Sequence, residues 1–151
     1  MMLFPSSAPR ARALAFGLRI VVMVMALVVS PFSEASSTET NYNGHYELAD
    51  AKADRAFSLE VRQTKSRADV SFSAAMTDGS GPAPDGTGKG RVEDGVLSFK
   101  FKDSFNNEGT CTLESGKHGY QLSMTVTKVV DPRPFHFYGT VLLKRTSTKP
   151  Q

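Results

Sequence analysis

The chain contains no tryptophan, a single cysteine and three histidines in 151 residues, and each scarcity removes a class of chemistry. Cys111 alone can form neither an internal disulfide nor a thiolate metal cluster. His45, His118 and His136 lack helical or hairpin ligand spacing, so no metal is expected. The uncharged stretch from Ile20 to Ser33 is about 14 residues, short of the roughly 20 that a membrane span needs. Phosphate-loop chemistry fails as well: Gly86-Thr87-Gly88-Lys89-Gly90 has Ala83 where the first glycine should stand, Gly90 in place of a hydroxyl residue, and no helix after it. Asp78 to Gly86 lacks the alternating acids of a calcium loop. No serine sits in a nucleophile elbow beside a histidine and an acid. The chain is therefore expected not to be an enzyme and to carry no cofactor.

What is present begins with an export signal. Arg10 and Arg12 open it, Ile20 to Val29 is its apolar run, and Ser33-Glu34-Ala35 supplies small residues at both cleavage-determining positions. Residues 1–35 are read as a signal peptide cleaved after Ala35, 36–42 as a flexible leader, 43–146 as one domain and 147–151 as a disordered tail. Ala11 separates the two arginines, which favours the general secretory route over a twin-arginine one. A periplasmic or secreted protein with no stable membrane anchor after cleavage follows. The formal net charge is +3, but Arg10, Arg12 and Arg19 lie in the signal against Glu34 alone, so 15 basic and 14 acidic residues remain beyond it. Near neutrality argues against a nucleic-acid partner.

Beyond the leader, apolar residues recur with period two. Gly44 to Leu48, Phe57 to Val61, Ala68 to Met76, a short piece around Gly90-Arg91-Val92, Val96 to Lys102, the Cys111 segment, Tyr120 to Val126 and a last segment running to Lys144 read as eight strands. Cys111 shares a face with Leu113, which marks it as a buried, inert thiol. Asp94-Gly95 signals a tight hairpin, and residues 77–87 read as the longest loop. Short connections favour antiparallel neighbours, so the fold class is all-β: an eight-stranded antiparallel up-and-down barrel that leaves no exposed edge. A two-sheet sandwich is the alternative.

Gly44-His45-Tyr46 resembles the opening of the lipocalins and wider calycins, with tyrosine where that family has tryptophan. The resemblance implies a calycin-like barrel in which Arg145, at the end of the last strand, packs across the Tyr46 ring. It also implies a second possible function, carriage of a small apolar ligand inside the barrel. The expected interior includes Tyr46, Phe57, Leu59, Phe72, Leu97, Phe99, Phe101, Leu113, Tyr120, Leu122, Met124 and Phe137. That set is bulky and favours a filled core over a cavity.

Threading the meander gathers 64–66, 93–95 and 115–119 at one end and 49–55, 77–87, 103–108 and 130–134 at the other. The second end collects Asp50, Asp54, Asp78, Asp85, Asp103, Glu108 and Asp131 against Lys52, Arg55 and Arg133, an acidic rim able to attract a basic partner or a cation. Phe105 and Asn106 lie on that rim, the phenylalanine being either a plug over the mouth or an exposed anchor. At the first end, Ser115-Gly116-Lys117-His118-Gly119-Tyr120 resembles the loop by which periplasmic lysozyme inhibitors enter their target's active cleft. The resemblance implies that Ser115 and Tyr120 reach the catalytic acids, with Lys117 and His118 beside them. The leading expectation is an exported binding protein acting through its loops on a protein or envelope component, including inhibition of a cell-wall hydrolase.

Overall fold

A computed structural model describes residues 40–150. The expected signal segment, its cleavage site and residues 36–39 lie outside the described residues. Eight strands run in order: β1 (Gly44–Leu48), β2 (Arg55–Thr64), β3 (Arg67–Met76), β4 (Asp85–Glu93), β5 (Val96–Asp103), β6 (Glu108–Gly116), β7 (Gly119–Lys128) and β8 (Thr140–Ser147). Each pairs antiparallel with the next, and β8 pairs back onto β1, closing the barrel and excluding the sandwich. Closure gives every strand a partner on both sides.

Period-two alternation sets which face looks inward. On β5, Leu97, Phe99 and Phe101 are buried while Ser98, Lys100 and Lys102 are exposed. Asp94 and Gly95 take positive φ, 49° and 78°, the backbone that matches a two-residue turn to the strand twist. Gly44 sits where β8 crosses β1: its φ is 141°, and a Cβ there would collide with the Ser147 carbonyl. The glycine of the opening motif is thus required by closure.

Four of the sequence assignments need correction. β4 spans Asp85–Glu93, longer than the piece read around Val92, and it shortens the 77–87 loop. Its inward positions are Gly86, Gly88, Gly90 and Val92, and its outward ones Asp85, Thr87, Lys89, Arg91 and Glu93. The alternation is intact, with glycine in place of apolar side chains. The last strand starts only at Thr140, because Arg133–Phe137 forms a 3-10 helix, entered through Pro132 and Pro134, that carries His136 and Phe137. Phe137 is fully buried from this helix and not from a strand. At the two borders of the domain, Tyr42, expected in the flexible leader, is completely buried, and Ser147, expected in the tail, pairs with His45.

Large rings from neighbouring strands occupy the space above the inward glycines. A Cβ at Gly86 would enter the Phe72 ring, one at Gly90 would lie 2.6 Å from Phe99 Cβ, and one at Gly109 would enter the Phe101 ring. Phe57 stacks on Phe72 at 5.8 Å, Phe72 meets Phe101 edge-on at 5.5 Å, and Phe101 lies 5.6 Å from Tyr138. Glycine and phenylalanine interlock here as small and large residues across facing positions, so that the rings take up the interior space the glycines leave.

Candidate functional site

The hairpin end of the barrel is built from residues near both borders of the domain. Tyr46 and Arg145 are direct partners across the β1–β8 seam. The Arg145 guanidinium lies 5.2 Å from the centre of the Tyr46 ring and 4.8 Å from that of Tyr120, and donates to the Tyr46 hydroxyl at 2.7 and 3.1 Å. A third donation reaches the Asn41 carbonyl at 2.6 Å. Tyr46 in turn donates to the Tyr42 carbonyl at 2.6 Å, and Tyr42 to the Gly95 carbonyl at 2.5 Å. The planar cation suits this sandwich because it attracts ring faces while its N–H groups stay in plane to donate. Burial pushes the Tyr46 hydroxyl up to about 12, only partly offset by Arg145, and raises Tyr42 in the same way.

Between β6 and β7, Ser115 pairs with Tyr120 and Gly116 with Gly119, leaving Lys117 and His118 as the turn. Ser115, Lys117 and His118 are exposed. Tyr120 is half-buried, its ring edge-on to Tyr46 at 4.9 Å. The hairpin therefore presents its serine, lysine and histidine outward, while its tyrosine belongs to the aromatic lock beneath.

The long-loop end is held by a buried polar clasp. Asp103 and Asn107 are the two buried polar residues of the described chain, at 5% and 0% exposure. The Asp103 carboxylate accepts from the Phe105 amide at 2.9 Å, from the Asn107 amide at 2.7 Å, from the Asn107 side chain at 2.9 Å and from the Tyr138 hydroxyl. The Asn107 side chain also donates to the Asp131 carbonyl at 2.9 Å and accepts from the Val130 and Asp131 amides at 2.8 and 2.9 Å. One side chain so satisfies the backbone of the segment that crosses the mouth. Burial and the adjoining Asp103 carboxylate raise the Tyr138 hydroxyl well above its usual value.

This clasp changes the arithmetic of the acidic rim. Asp103 is sealed inside it. Asp131 forms an ion pair with Arg133 at 2.5 Å, which holds its carboxyl below the usual range, and Glu108 is lowered likewise by Lys128 at 2.9 Å. Arg55 donates to the His136 carbonyl. Asp50, Asp54, Asp78 and Asp85 remain as exposed acids. Phe105 is half-buried under the Arg133 guanidinium, 5.4 Å from its ring centre, so it is neither a deep plug nor a bare anchor; Asn106 is exposed and takes a positive φ of 64° in the turn.

Sequence reasoning missed Asn107, Tyr138 and Tyr42. Asn107 read as turn chemistry, Tyr138 stood in an assumed strand, and Tyr42 fell in an assumed leader. The available signal was Asp103 spaced four residues from Asn107, a side-chain pair able to cap its own loop. Cys111 is buried as expected, and burial alone pushes its thiol up to about 12, the opposite of an activated nucleophile. Comparison with family models, with curated proteins and with solved structures gives no match, so the barrel and its two closures stand on their own geometry.

Proposed function

We propose that the chain is an exported, non-enzymatic binding protein that acts from its outside, through the hairpin end, on a protein or envelope component, with inhibition of a cell-wall hydrolase as the leading case. The observation that carries this reading is the filled interior: the rings of Phe72, Phe99 and Phe101 lie against Gly86, Gly88 and Gly109. Recognition is left to the surface, and the alternative of a carrier with a small apolar ligand inside loses its main support. The exported compartment rests on the signal-like segment 1–35. A calycin-like origin draws support from Arg145 lying across Tyr46 at the seam. The Lys117-His118 turn offers cationic and hydrogen-bonding groups suited to the carboxylates of a hydrolase cleft.

The test is an assay of lysozyme on a cell-wall substrate with the wild type and a Lys117→Ala/His118→Ala variant. Inhibition by the wild type, reduced at least tenfold in the variant, is the expected result. An inert wild type, or a variant as potent as the wild type, overturns the hairpin reading.

A further inference from the structure

Outward residues of the barrel wall pair across strands, and most charged pairs have opposite signs. Glu47 faces Lys144, Arg62 faces Asp69, Asp69 faces Lys89, Lys102 faces Glu108, and Glu108 faces Lys128. Opposite charges directly across a ladder stabilise it, and like charges destabilise it. Two like-charge pairs occur among the described strands, and they are adjacent: Arg67 opposite Arg91 on β3 and β4, and Lys89 opposite Lys100 on β4 and β5. All four side chains are exposed. Lys89 has one exposed partner, Asp69 at 3.8 Å, while among the described residues Arg67, Arg91 and Lys100 form no ion pair.

The register also sets hydroxyl groups beside these cations. Ser98 is the β5 partner of Arg91, Thr112 the β6 partner of Ser98, and Thr110 the β6 partner of Lys100. A surface depression of about 900 Å³ lies over this patch. Near neutrality of the chain thus conceals an uneven distribution: the depression on β3–β5 sets Arg67, Lys89, Arg91 and Lys100 against Asp69 and Glu93, while exposed acids gather at the long-loop end. Barrel stability does not call for this arrangement, since each like-charge pair opposes it.

We infer that the outer wall of β3, β4 and β5 binds a base-free chain of phosphate groups. Two guanidinium forks, two ammonium groups and neighbouring hydroxyls form the donor set that phosphate oxygens accept from. Strands spaced by about 4.8 Å hold the cations in two parallel rows, which suits a repeating anion better than a single one. The aromatic residues of β5, Phe99 and Phe101, are buried on the opposite face, so the wall offers no platform on which nucleic-acid bases could stack. Binding would neutralise the repulsion that the bare wall carries. The site is separate from the Lys117-His118 turn and does not depend on the hydrolase reading.

The probe is inorganic polyphosphate, titrated at about 50 and 200 mM salt against the purified protein and a variant with Arg67→Gln, Lys89→Gln, Arg91→Gln and Lys100→Gln. The wild type is expected to bind with an affinity that falls steeply with salt, and the variant to lose at least tenfold while its melting temperature stays level or rises. A Lys128→Gln control, away from the patch, should bind as the wild type does. Absence of binding at low salt, equal binding by the fourfold variant, or tighter binding of single-stranded DNA of matched charge would each overturn the inference. Hydrolase inhibition measured on the same fourfold variant separates the two surfaces, because the hairpin turn is left intact.

Discussion

At the hairpin end, Arg145 spreads across Tyr46 and Tyr120 and joins residues from both borders of the domain; at the long-loop end, Asp103 and Asn107 gather the backbone of an internal segment. The first closure is made of ring faces, one cation lying across them, and the few hydrogen bonds that Arg145, Tyr46 and Tyr42 donate. The second is a saturated buried network in which each acceptor already has its donor, and among the described residues no buried side-chain nitrogen or oxygen is left unpartnered. A network of that kind is stiff while complete and costly when one member is removed. The two ends thus differ in kind, with a buried polar clasp at one and a buried aromatic lock under an exposed hairpin at the other.

The comparison can be broken first at the middle. Phe99→Ala removes the ring packed over Gly88 and should cost about 4 kcal/mol in urea unfolding, loosening both ends together. A rise in hydrogen exchange at one end only would contradict a single interior core shared by both ends. Asn107→Ala strips four hydrogen bonds from the clasp and is expected to cost about 3 kcal/mol. Its signature is local: amide protection lost in 104–107 and 129–138 while the β1–β8 seam keeps its own. Arg145→Lys keeps the charge but loses the planar fork and its stacking, for about 1 kcal/mol, read as earlier exchange at the seam with the clasp untouched.

Alkaline pH gives the most selective test. Tyr46 starts from an ordinary value of 10.0 and is raised to about 12 by burial, so between those values the unfolded chain releases the proton that the folded chain keeps. Stability attributable to this group is intact below pH 10.0 and is lost as pH rises through about 12. Tyrosinate absorbance of the folded protein should lag behind that of the unfolded chain across this window. Coincident titration of folded and unfolded protein, with flat stability, would contradict the buried lock.

Much of the barrel was legible because its strands bury one face and wet the other, as Leu97, Phe99 and Phe101 do against Ser98, Lys100 and Lys102. The β4 strand was only partly legible, since Gly86, Gly88 and Gly90 read as loop punctuation while serving as the small partners of large rings. Phe137 was correctly read as interior but given the wrong element: Pro132 and Pro134 favoured a turn of 3-10 helix where apolar content suggested strand. The Tyr46–Arg145 contact was expected from a resemblance and is present in the geometry. The clasp was hidden because it depends on side chains reaching backbone atoms some 24 positions away. The like-charge pairs on β3–β5 were hidden for a simpler reason: net charge sums over a surface, and only strand register shows which charges are neighbours.

The claim most open to direct attack is that the interior is filled by the chain itself and that recognition belongs to the outside. Native mass spectrometry of the protein purified from its own host addresses it in one spectrum. The account predicts the mass of the chain with no small molecule retained. A stoichiometric added mass of a few hundred daltons, lost only on unfolding, would place a ligand inside the barrel and contradict it.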